Sequence, residues 1–114
     1  MSYFPQPKRG QRAHRLRLGG AIGVSIRSGG SQSIRATLRE LSFTGGLLLL
    51  PKAFKRGDFV ELAFSTGKGT VQGMAELLAA RSKSASGCLQ PFRFIALADE
   101  DHTRLRMAME LLSD

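Results

Sequence analysis

The sequence predicts an all-β fold with one C-terminal helix, a small antiparallel barrel or sandwich of six strands. Three observations carry that expectation. Apolar and polar residues alternate in run after run, glycine-rich turns separate the runs, and beyond residue 98 the apolar period changes from two to about 3.6. The chain has 114 residues. That is room for one domain and one core, burying roughly 60 to 70% of the surface an unfolded chain exposes.

Residues 1–10 hold two prolines, a glycine and adjacent Lys8-Arg9, and are expected to form a flexible N-terminal tail ahead of a single domain over 11–114. In 21–27, Ile22, Val24 and Ile26 alternate with Gly23, Ser25 and Arg27, the pattern of a half-buried strand. Ser28-Gly29-Gly30-Ser31 supplies a turn. The second strand sets Ile34, Ala36, Leu38 and Glu40 on one side against Arg35, Thr37 and Arg39, and ends in a polar turn over 40–46. The four leucines of 47–50 are apolar on both faces and stop at Pro51, as a buried strand would.

After the turn Lys55-Arg56-Gly57-Asp58, residues 59–64 direct Val60, Leu62 and Phe64 to the core. A glycine-containing hairpin over 65–69 leads into a longer strand over 70–80, with Val71, Gly73, Ala75 and Leu77 on one face. Residues 81–87 read as a loop, and 89–97 resume strand character with Phe92, Phe94 and Ala96 aligned. Asp99 is the expected N-cap of the closing helix, and Leu105, Ala108, Met109 and Leu112 fall at i, i+3, i+4 and i+7. That stripe is expected to pack on the barrel mouth or on a second copy, so that a monomer and a homodimer both remain open.

Charge is divided unevenly. The first 39 residues hold eight Lys/Arg and no acid, whereas the other 75 hold nine of each sign, so the whole net charge of +8 resides in the first third. Such a segment suits a phosphate-bearing or acidic partner. The single cysteine, Cys88, closes no internal disulfide and sits in an apolar run, which fits a small core residue in a reducing compartment. The longest apolar run is far short of the roughly 20 residues that cross a bilayer, and no apolar stretch follows the basic N-terminus as in a secretory signal. A cytoplasmic protein with no membrane insertion is expected.

The chemistry of an enzyme is missing. His14 and His102 lie far apart, and neither has a His or Cys partner at metal-ligand spacing. Gly67-Lys68-Gly69-Thr70 holds a fragment of a phosphate loop, but a strand rather than a helix should follow it. No enzyme, no metal and no cofactor are expected.

What remains is a constellation: a basic segment, two strands, and the turn Glu40-Leu41-Ser42-Phe43-Thr44-Gly45-Gly46, which shows a carboxylate, a hydroxyl and backbone N–H groups outward. This order resembles the PilZ domain, a bacterial receptor for cyclic di-GMP, over about residues 11–112. That resemblance implies a six-stranded antiparallel β-barrel. The family's Asp/Asn-x-Ser-x-x-Gly motif corresponds to Glu40-Leu41-Ser42-Phe43-Thr44-Gly45, matched at Ser and Gly and altered at the first position. Its Arg-x-x-x-Arg motif corresponds to Gln11-Arg12-Ala13-His14-Arg15, which keeps one arginine.

The resemblance implies a ligand site of Arg9, Arg12, Arg15, Glu40, Ser42, Gly45 and Gly46. An arginine fork can grip the O6/N7 edge of guanine, stack on a base or bridge phosphate oxygens. Arg15 is the first choice for that role, and Arg12 or Arg9 can replace the arginine lost at Gln11. Ser42 can bond a ligand or its own backbone, and the glycines permit close approach or positive φ. Glu40 is one methylene longer than the Asp whose place it takes.

The leading expectation is therefore a signalling module in which the arginine segment closes over cyclic di-GMP and exposes a surface for a downstream protein. The alternative is an adaptor of the same fold that binds no nucleotide. Nonspecific nucleic-acid binding is a third class. It is not expected, because the strands carry no evident stacking platform.

Overall fold

A computed structural model of the chain describes residues 2–3, 15–29, 33–84 and 86–112. The elements in order are β1 (Ser2–Tyr3), β2 (Arg15–Arg27), β3 (Ser33–Ser42), β4 (Gly45–Leu50), β5 (Phe59–Thr66), β6 (Gly69–Leu77), β7 (Ser82–Ser84), β8 (Gly87–Leu97) and α1 (Asp99–Leu112). Neighbouring strands run β8-β4-β3-β2-β5-β6, and β6 pairs back onto β8, so six antiparallel strands close into a barrel. Closure leaves none of the six with an unpaired edge. β7 folds back as a short hairpin on β8, and β1 pairs with the far end of β8, Ser2 with Leu97 and Tyr3 with Ala96.

The alternation fills the interior. Ile26, Leu38, Leu48, Leu62, Leu77 and Leu97, one from each strand, are all but fully buried. Helix α1 adds Leu105, Ala108 and Met109 to this core, the stripe expected from their spacing. The helix packs against β6, β2 and β8. Its first i to i−4 bond runs from His102 N to Ala98 O at 3.0 Å. Ala98 therefore takes the N-cap position expected of Asp99, and Asp99 joins Glu100 and Asp101 in the acidic first turn. Asp101 Oδ1 accepts from Gln72 N at 2.9 Å, tying the helix start to β6 just beyond the point where β8 leaves it.

Several strand positions depart from expectation, beginning with β1, since Ser2 and Tyr3 fall in the segment expected as a flexible tail. β2 begins at Arg15 rather than 21, because Arg15, Leu16 and Arg17 pair with Ser42, Leu41 and Glu40 before an irregular stretch interrupts the register up to Ile22. β6 stops at Leu77 rather than 80. The expected loop over 81–87 contains β7. Within β3, the register with β4 steps from Leu38↔Leu48 to Glu40↔Leu47, an extra residue in β3. This bulge reverses the alternation beyond it, so Leu41 is buried in place of Glu40.

Pro91 lies inside β8, where a missing N–H would normally break a ladder. It falls between the β7 pairing, which ends at Leu89, and the β6 pairing, which starts at Phe92. The buried Gln90 fills the same gap. Its Oε1 accepts from Phe54 N at 2.9 Å, and its Nε2 donates to Phe54 O at 2.9 Å and Leu78 O at 2.8 Å.

Candidate functional site

The β3–β4 turn and the start of β2 meet at one end of the barrel. Arg15 lies opposite Ser42 and Arg17 opposite Glu40, so Arg15 and Glu40 form a diagonal cross-strand pair. Arg15 Nη1 stands 3.4 Å from Glu40 Oε1, with side chains 44% and 19% exposed. The β3 bulge makes this pair by turning Glu40 outward. A contact of that length and exposure contributes at most about 1 kcal/mol. Arg15 is thus placed at the turn yet only lightly held there.

Ser42 is 3% exposed, so its hydroxyl is not shown outward as the sequence suggested. Ser42 Oγ accepts from Gly45 N at 3.1 Å and Thr44 N at 3.2 Å, lies 3.2 Å from Gly45 O as a donor, and is 3.3 Å from Thr44 Oγ1. One serine therefore closes the turn on itself. Thr44 O accepts from Phe94 N at 2.8 Å, which fastens the turn to β8.

Gly45 and Gly46 are buried, and neither has positive φ. Close approach is what requires them. A Cβ at Gly45 would collide with the Phe92 carbonyl oxygen, and one at Gly46 would collide with the Glu40 carbonyl oxygen and lie 3.0 Å from the Phe92 ring. The chain's own strands β8 and β3 occupy the space that the missing side chains leave.

Arg9 and Arg12, with Gln11 and His14, lie outside the described residues. The segment that carries them joins Tyr3 to Arg15, and both ends are placed. Tyr3 pairs with Ala96, two residues beyond the Phe94 that holds Thr44, and Arg15 pairs with Ser42.

Two further side chains at this end lie outside the expected ligand set. Phe43, at the tip of the turn, is 41% exposed. Arg93 lies opposite Gly45, and its Nε and Nη2 are each 2.6 Å from Glu76 Oε1. The register that brings Arg93 beside the turn pairs it with Gly45, far away in the sequence, so no local motif signals it. His102 lies in the first turn of α1, at the opposite end of β8 from Cys88. Among the described residues no three His, Cys, Asp or Glu side chains gather where they could hold a metal ion. No helix among them is long and apolar enough to cross a membrane.

No family model matches the sequence, and no curated protein matches it. Solved structures do. The PilZ domain of YcgR from Escherichia coli, with c-di-GMP, superposes with a TM-score of 0.76 over 92% of each chain at 16% identity. The inhibitor of motility MotI/DgrA of Bacillus subtilis gives 0.70 at 15% identity, over 93% of this chain and 56% of that one. MrkH of K. pneumonia in its apo state gives 0.72 at 13% identity, over 96% and 53%. The chain spans about half the length of the latter two. At such identities it is the architecture that is held in common, and six closed strands capped by a C-terminal helix give this chain the fold of a PilZ domain.

Proposed function

We propose that this chain is a receptor module for cyclic di-GMP, a cytoplasmic binding protein rather than an enzyme. The observation that carries the reading is the meeting of Arg15 with Glu40, two residues 25 apart in sequence that correspond to separate halves of the family's ligand motif. The PilZ domain of YcgR, a structural neighbour, is described with c-di-GMP. Arg15 leaves its weak contact with Glu40 and presents its fork to a guanine edge or a phosphate. Glu40, released, accepts from the guanine N1–H and N2 amine. Arg12 or Arg9, a few residues ahead of Arg15 in the sequence, supplies the second guanidinium in place of Gln11. Ser42, Gly45 and Gly46 hold the turn in the shape that the ligand meets.

Titration calorimetry with cyclic di-GMP, with GTP and a short DNA duplex as controls, tests this reading. Saturable heat specific to the dinucleotide is expected, and Arg15→Ala abolishes it while the melting temperature barely moves, because Arg15 is exposed and its ion pair weak. Absence of heat from the unaltered protein would sink the proposal.

A second reading is favoured by one observation: the Ser42 hydroxyl and the N–H groups of Thr44 and Gly45 are already bonded within the turn. With those groups occupied, the same fold can serve as an adaptor that meets a downstream protein without nucleotide. An unchanged melting temperature at saturating dinucleotide, together with binding of a protein partner, would support it.

A further inference from the structure

We propose that the outer face of β3 and β4 around Arg35 is a docking surface for an acidic segment of another protein that also carries an apolar side chain. The surface lies at the other end of β3 from the Ser42 turn, roughly 20 Å away at the rise of a strand. It stands whether or not the dinucleotide binds.

The first observation is charge. β2 and β3 together carry Arg15, Arg17, Arg27, Arg35 and Arg39 against the single acid Glu40, and all five arginines are exposed. Arg15 pairs with Glu40, and Arg27 with Glu61 at 4.0 Å. Arg17, Arg35 and Arg39 have no acidic partner among the described residues. Of these, Arg17 lies opposite Glu40 near the turn, and Arg35 is the one beside the proposed surface, with Arg39 four residues on along β3; an unpaired guanidinium there attracts carboxylates and raises the rate of their encounter.

The second observation is shape. A hollow of about 320 Å³ lies beside Arg35, lined also by Thr37, Leu49, Pro51 and Ser86. Thr37 and Leu49 are opposite each other in register and half-buried, so the floor is partly apolar. On the other side of β3 the Arg35 guanidinium extends over Gly23, where a Cβ would lie 3.6 Å from Nη1. The Arg35 head thus lies toward β2 while the residue still lines the hollow.

Cation and apolar floor together select the occupant. Nucleic acid would use the arginines but gain nothing from Leu49 and Pro51, and the exposed phenylalanines, Phe43 and Phe59, lie outside this hollow. An anionic bilayer prefers protruding apolar side chains, whereas Thr37 and Leu49 are half-buried here. An acidic peptide with a leucine among its carboxylates satisfies both halves.

The test uses the whole chain, labelled with ¹⁵N, and a short synthetic Glu/Ser peptide with central leucines. Controls are the same peptide with Gln for Glu, a leucine-free Glu/Ser peptide, a short DNA duplex, and vesicles of phosphatidylcholine with phosphatidylglycerol. The acidic leucine peptide is expected to shift the amides of Arg35, Thr37 and Leu49. Arg35→Glu should weaken it about tenfold or more, and Arg15→Ala should leave it unchanged. The proposal is overturned if the Gln or the leucine-free peptide binds equally well, if Arg35→Glu has no effect, if shifts gather at Ser42–Gly45 instead, or if the duplex or the vesicles bind more tightly through Arg35. A melting curve for Arg35→Glu that matches the unaltered protein separates loss of contact from loss of fold.

Discussion

Single residues decide the shape of the β3–β4 turn, and they do so by what they leave out as much as by what they bond. Ser42 closes the turn with one hydroxyl, and Gly45 lets β4 lie against β8 where any Cβ would meet the Phe92 carbonyl oxygen and lie 2.9 Å from the Cα of Arg93. Both obstacles are backbone and cannot rotate away. Gly45→Ala is therefore expected to cost about 3 kcal/mol by overpacking. Gly23→Ala, whose new methyl meets only the end of Arg35 at 3.6 Å, should change stability by less than about 0.5 kcal/mol. Chemical denaturation of the two variants checks the contrast. Equal effects would mean that β4 can move away from β8, and that glycine at 45 answers to something other than packing.

At the scale of elements, the alternation of Val60, Leu62 and Phe64, the all-leucine β4 and the helical stripe of α1 were legible because their signals are local and periodic. The start of β2 was hidden because Gly19 and Gly20 interrupt the alternation of Leu16 and Leu18, which pack on the core. The outward turn of Glu40 was hidden because a bulge belongs to the pairing of two strands and not to either sequence. Of the site, Arg15 and Glu40 could be chosen from the motifs, but their contact follows only from that bulge. Gln90 was illegible for the same kind of reason, since its partners Phe54 and Leu78 are distant in sequence. Replacing it by leucine keeps the volume and strips three part-buried backbone groups of their partners. Gln90→Leu should lose about 2 to 4 kcal/mol, lowering the melting temperature by roughly 10 °C or more. A melting curve that leaves Tm in place would show that water reaches the gap between β6 and β7.

For the whole molecule, closure separates what holds the fold from what is proposed to recognise a ligand. The barrel is complete once β6 returns to β8, and every strand of that ring and the helix that packs on it lie between Arg15 and Leu112. Ahead of Arg15, the described contribution is β1, two residues paired with the end of β8. Removing residues 1–14 should therefore cost on the order of 1 kcal/mol for those backbone bonds, a drop of roughly 4 to 8 °C, and unfolding should stay cooperative. The same deletion removes Arg9 and Arg12 and frees the start of β2, so calorimetric binding of cyclic di-GMP should vanish while the acidic peptide still docks at Arg35. Circular dichroism melting and the two titrations on one shortened protein distinguish the cases. Dinucleotide binding that survives would assign recognition to Arg15 and the turn alone. Loss of the cooperative melt would instead make the N-terminal strand a structural part of the barrel, and would return the basic segment from ligand capture to fold.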